Sequence, residues 1–194
     1  MKRFGKCLSL FAAAALALSL CACSARNSSD NKLILDGHKF QIGQSTIEAL
    51  TQSGLTMEVD ADPEMSVPAG TLIDHAITFT KAGVPAASAV AANPTKMPLP
   101  LSQCRIYKLT GYYQADGKEG ACQVILGGTD FKGYNREQVE KAMGTPDNLE
   151  KNGDISTLNP FSYDGSNYEV LFSFDENGIV TQVELDRTGY TSGQ

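Results

Sequence analysis

Tryptophan is absent from the 194 residues, and histidine occurs only twice. Without indole rings a broad stacking platform for sugars is disfavoured, although seven Tyr keep that chemistry open. His38 and His75 stand in no HExxH or HxH spacing and no CxxC is present, so a zinc site would need ligands scattered through the fold. Asp74-His75 does not form a triad pair, because adjacent strand residues point to opposite faces. No Ser sits in Gly-x-Ser-x-Gly, and the one Ser-x-x-Lys spacing, Ser29 to Lys32, starts in a polar stretch that holds nothing in place. Gly127-Gly128 lack a following Gly-Lys-Thr/Ser and read as a strand exit needing positive φ. Glu58 to Glu64 and Asp175 to Gly178 lack the full calcium-loop pattern and read as a solvated loop and a turn. A glycosidase pair needs only two carboxylates about 5–9.5 Å apart in space, and no pair stands out. No cofactor, no metal and no catalytic residue is expected.

What is present begins at the N-terminus. Lys2, Arg3 and Lys6 precede an uncharged apolar run from Cys7 to Leu20. That run is shorter than the roughly 20 residues of a spanning helix, so it reads as a secretory signal. Leu20-Cys21-Ala22-Cys23 resembles a bacterial lipobox. The small Ala22 before Cys23 and Leu20 at −3 favour Cys23 as the lipid attachment over Cys21, whose preceding residue is the bulky Leu20. The resemblance implies a signal peptide over 1–22, a diacylglycerol and palmitate-type anchor, and residence on the extracytoplasmic face of the cell membrane. The polar stretch to residue 31 reads as a flexible tether (23–31), and 191–194 as a frayed tail.

Of 16 basic and 22 acidic residues, the segment 1–22 holds three basic and no acidic ones, so the mature chain carries 13 against 22, or −9. Nucleic-acid binding needs the opposite sign, and no nucleic-acid partner is expected. The exported part keeps Cys104 and Cys122 besides Cys23. Both flank strand-like segments, Arg105 to Leu109 and Gln123 to Leu126, which a turn around Ala115 to Lys118 would bring side by side. Either one disulfide or two buried reduced thiols follows.

The body repeats a theme. Phe40 to Gly43 leads into a helix-like stretch ending at Gly54, with Ser45 and Glu48 as a capping box; Asp130 to Gly133 leads into another ending at Gly144 and Pro146, with Asn135 and Gln138 as a looser box. Period-two patterns follow: 72–80, 87–92 and 104–112 after the first, and 157–163, 168–174 and 179–185 after the second. The fold class is therefore α+β, with two tandem repeats of a helix plus an antiparallel meander, 32–126 and 127–190. The run Gly133, Val139, Met143-Gly144-x-Pro146, Phe161-x-Tyr163, Leu171-Phe172-x-Phe174-Asp175-x-x-Gly178-x-Val180 resembles the repeat of small bacterial lipoproteins. That group includes the β-barrel-assembly lipoprotein and the β-lactamase-inhibitor-protein-like fold. Leu35-x-Gly37-x-x-Phe40-x-Ile42-Gly43 and Asn93-Pro94 to Cys104 are similar to tandem lipoproteins of Gram-positive bacteria. The resemblance implies a sheet with helices on one face.

The functional expectation is a lipid-anchored binding module without catalytic activity that recognises a protein at the cell envelope. The alternatives are an envelope hydrolase with dispersed residues and a small-ligand-binding lipoprotein. Interface aromatics make Tyr107, Tyr112, Tyr113, Phe161, Tyr163 and Tyr168 contact candidates, with packing against the helices as the other reading. Tyr112 and Tyr113 lead, since neighbours on a strand cannot both face inward.

Overall fold

Turn chemistry sets the first hairpin. Asp36 (φ 48°) and Gly37 (φ 82°) both take the left-handed region, the twist that suits a two-residue hairpin. They join β1 (Lys32–Leu35) to β2 (His38–Gln41). The computed structural model describes residues 32–58, 62–73, 75–115, 117–147, 161–164 and 168–187. The leader, Cys23, the tether and the tail lie outside them.

After β2 come α1 (Ile47–Gln52), β3 (Thr56–Met57), β4 (Ser66–Val67), β5 (Ile77–Lys81), β6 (Val84–Ala92) and β7 (Leu99–Pro100). A 3₁₀ turn, Leu101–Gln103, leads into β8 (Arg105–Tyr112), β9 (Gln114–Ala115) and β10 (Lys118–Glu119). Then follow β11 (Val124–Leu126), β12 (Thr129–Asp130), α2 (Arg136–Met143), β13 (Phe161–Asp164), β14 (Glu169–Phe174) and β15 (Val180–Asp186). Gly127 and Gly128, at φ 58° and 83°, form the two-residue turn between β11 and β12, as the strand-exit reading requires.

The strands make mostly antiparallel sheets, and with two helices the fold is α+β. A seven-stranded sheet runs β13-β14-β15-β8-β6-β5-β3, and a four-stranded one runs β12-β11-β1-β2. Register puts two apolar rows on one face of the larger sheet. Phe79, Ala87, Gly111, Val183, Phe172 and Phe161 lie in one, and Ile77, Ala89, Leu109, Leu185, Val170 and Tyr163 in the next. All except Gly111 belong to the single buried cluster. Phe131 meets Phe172 edge-to-face at 4.8 Å, and the Arg136 guanidinium of α2 lies 4.2 Å from the Phe174 ring centre. Leu35 and Val124 of the smaller sheet press on the same face opposite Gly111.

Several sequence expectations meet their physical limits here. The looser capping box is the one that forms: Asn135 Oδ1 accepts the Gln138 N–H and Gln138 Oε1 accepts the Asn135 N–H, each at 2.9 Å. The Ser45–Glu48 box does not. α1 starts from Thr46, Ser45 Oγ accepts the Gln41 N–H instead, and Glu48 Oε1 accepts from Gln52 Nε2. β8 and β11 do not lie side by side either. β8 pairs with β6 and β15, whereas β11 joins the other sheet through β1 and β12.

Cys104 and Cys122 are accordingly two free, buried thiols. Cys104 Sγ lies 3.5 Å from the Pro100 carbonyl oxygen, and burial raises its pKa. Cys122 sits beside Asp36, where burial, reinforced by that carboxylate, pushes its thiol up to about 12. A protonated, enclosed thiol is a poor nucleophile. Iodoacetamide at pH 8 should therefore label neither cysteine in the native protein and both after unfolding without reductant. A mass increment at only one, or at neither after unfolding, would contradict the free-thiol arrangement.

Candidate functional site

The second face of the large sheet is mostly polar. Thr78, Ser88, Thr110, Glu184, Leu171 and Ser162 form a row across six strands. Beside it run Val90, Lys108, Asp186, Glu169 and Asp164. Hydrogen bonds knit the centre: Thr110 Oγ1 donates to Glu184 Oε2 at 2.9 Å and Tyr112 OH to Ser88 Oγ at 2.9 Å. The Lys108 ammonium bridges Glu184 (3.0 Å) and Asp186 (2.8 Å). Burial alone would lower its pKa, but the two carboxylates outweigh it and hold the group above its ordinary value.

Two strand irregularities shape this face at its Tyr112 end. β6 carries an extra residue, Ala86, against β5, and β15 carries an extra residue, Thr181, against β14. Such bulges bend a strand and re-aim its side chains. The backbone leaving β8 uses both: the Tyr113 N–H donates to the Thr181 carbonyl (2.8 Å) and the Ala121 N–H to the Pro85 carbonyl (3.1 Å). The β9–β10 hairpin thus stands beside the sheet and walls an open cleft of about 480 Å³. Thr78, Pro85, Tyr112, Gln114, Gly117, Asp175, Thr181 and Gln182 line it. Asp175 closes the β14–β15 turn, its Oδ1 accepting the N–H groups of Asn177 (2.9 Å) and Ile179 (2.8 Å).

The aromatic candidates separate sharply. Tyr112 is half-buried and lines the cleft. Tyr113 is a correction to the expected contact pair: it is 3 % exposed, donates through its OH to the Val124 carbonyl (2.7 Å) and accepts the Phe131 N–H (2.9 Å). Burial raises its phenol pKa well above the ordinary range. Neighbours on a strand do face oppositely, but Tyr113 is the member that points into the core. Tyr107, Phe161 and Tyr163 are buried too, and Tyr168 is partly buried against the same core. Phe161 meets the Arg136 guanidinium of α2 at 4.9 Å, and Tyr163 packs on Phe172 of the sheet. Tyr107 lies outside the core cluster, with the Arg187 guanidinium 5.0 Å from its ring centre. At the cleft Gln182, Thr181 and Gln114, which sequence reasoning did not single out, take the place of these aromatics.

His38 and His75 are both exposed, and Asp74 lies outside the described residues. No group of three or more His, Cys, Asp or Glu among the described residues is placed to hold a metal ion. In the first acidic stretch, Asp62 Oδ1 accepts the Glu64 N–H at 2.9 Å, while residues 59–61 lie outside the described set. Among the described residues no helix is long and apolar enough to cross a membrane. The chain matches no protein-family model, no curated protein and no solved structure.

Proposed function

We propose that this chain is a lipid-anchored extracytoplasmic module, without catalytic activity, that binds a protein at the cell envelope through the polar face of its seven-stranded sheet. The observation that carries the reading is that sheet itself. One continuous face spans strands from both parts of the chain, and its side chains are mostly polar. They range from buried (Ser88, Thr110, Ser162) to half-buried (Thr78, Glu184) and exposed (Asp164), and are ordered at the centre by mutual hydrogen bonds. A rigid polar surface with an edge cleft is suited to recognition, since little side-chain entropy remains to be lost on binding.

The element order supports a tandem origin. The hairpin β1–β2, α1 and the strands β5, β6 and β8 precede the hairpin β11–β12, α2 and β13, β14 and β15. The two hairpins meet at β1–β11 and the two meanders at β8–β15. The leader and Cys23 supply the anchor in this reading.

Site-specific photocrosslinking in a bacterial host tests both parts. A crosslinker at Glu184 or Leu171 should trap one envelope protein, and the same group at Lys39, on the edge strand of the other sheet, should not. With Cys23→Ser the N-terminal lipid should disappear from the mass spectrum of the mature protein. Equal products from Lys39 and Glu184 would remove the face as the recognition surface, and a lipid retained in Cys23→Ser would remove that attachment site.

A further inference from the structure

The cleft beside Tyr112 has a chemistry narrower than the face around it. Among the described residues that line it, none carries a positive charge and one, Asp175, is acidic. An anionic ligand, whether phosphate, nucleotide or uronate, would meet a carboxylate and no counter-charge from that lining. The other polar groups are hydroxyls of Thr78, Tyr112 and Thr181 and amides of Gln114 and Gln182, each able to donate and accept. Two of them are already oriented: Tyr112 OH donates to Ser88, leaving lone pairs to accept, and Gln182 Nε2 donates to Ser173 Oγ at 3.1 Å, which fixes its amide plane. Asp175 spends Oδ1 on its own turn, so Oδ2 is the oxygen with acceptor capacity to spare. Pro85 and the Tyr112 ring add a small apolar wall.

We infer that this cleft binds the end of a neutral saccharide. Paired hydroxyls on adjacent sugar carbons suit a carboxylate flanked by amides and hydroxyls. The C–H face of a pyranose suits Pro85 and a single tyrosine ring. The volume lies in the range of about 300–1,000 Å³ typical of small-molecule sites. Because the cleft is open to solvent, a terminal unit enters while the rest of the chain stays outside. Recognition here rests on hydrogen bonds, not on a stacking platform, which accords with a sequence that has no Trp.

The inference shares the polar face with the proposed function but not its partner, and its test needs no second protein. The full chain, held in sugar-free detergent micelles, is titrated calorimetrically with chitotriose, cellotriose and maltotriose, and with trigalacturonate as the anionic comparator. At least one neutral trisaccharide should bind, and trigalacturonate should give no heat. Gln182→Ala and Asp175→Asn should each weaken the neutral ligand about tenfold or more, as loss of one or two hydrogen bonds demands. Lys39→Ala, on β2 at the edge of the other sheet, should leave it unchanged. The amide in Asp175→Asn keeps an Oδ1 acceptor for the turn, and a thermal melt of each variant verifies the fold. Should Asp175→Asn melt early, Gln182→Ala decides. Heat from none of the neutral sugars, equal heat from trigalacturonate, or affinity unmoved in a folded Gln182→Ala would overturn the inference while leaving the crosslinking result standing.

Discussion

Tyr113→Phe is expected to destabilise the fold by about 3 kcal/mol, a large effect for the loss of one oxygen. That oxygen is a hub between the sheets. It serves the Val124 carbonyl and the Phe131 N–H at once, and the phenol around it is almost wholly enclosed. Phenylalanine keeps the ring and its packing but strands two buried backbone groups. Each unsatisfied group costs about 1–3 kcal/mol, whereas a typical satisfied hydrogen bond nets only about 1 kcal/mol. Urea denaturation checks this: a lowered midpoint with an unchanged slope fits the argument. A loss below about 1 kcal/mol would mean that water or a backbone shift replaces the hydroxyl.

Gly111→Val is expected to cost about 3 kcal/mol, at the upper end for overpacking, because the clash lies between two sheets. A Cβ at Gly111 would stand 2.7 and 2.9 Å from the two Val124 methyls and 3.0 Å from Leu35 Cδ2. The side chains it meets belong to short, paired strands, so relief requires one sheet to move away from the other. Closely packed interiors yield little in that way. The milder pair Gly111→Ala and Val124→Ala supplies the diagnostic: combined, they should destabilise less than the sum of the single changes, since the second opens space for the first. Strict additivity would place the cost elsewhere.

Legibility in the sequence tracked local chemistry. The late strands were readable because Asp175 to Gly178 is a turn with its own hydrogen bonds and because Val180, Val183 and Leu185 are buried while Gln182 and Glu184 are less so. Even there, the bulge at Thr181 buries Val180 together with Val183 and Leu185, whereas a strict period of two would put Val180 on the face opposite the other two. The α2 cap was legible because it depends on four consecutive residues. What stayed hidden depends on long-range pairing. The Asp36-Gly37 turn marks a hairpin, but only β11, some ninety residues on, turns that hairpin into a sheet. The cleft was equally hidden, because its lining comes from β5, β6, β8, β15, the β9–β10 hairpin and the β14–β15 turn. Bulges at Ala86 and Thr181 lie beside or within that lining, and a bulge leaves no mark that a period-two pattern can show.

The pairing of β8 with β15 has a consequence for the order in which the molecule is assembled. Thr110 and Glu184, hydrogen-bonded across that pair, are 74 positions apart in the chain. β6 and β5 can zip onto β8 early, yet the other side of β8 has no neighbour until the last strand arrives. Through that interval a long strand with Leu109 and Ile106 on its apolar face offers unpaired N–H and C=O groups to any passing chain. Closure is a late, non-local event of the kind that makes β-rich proteins fold slowly. A chain cut before Val180 would keep most of its core residues and still present a permanent sticky edge at β8, so it should aggregate and not merely unfold.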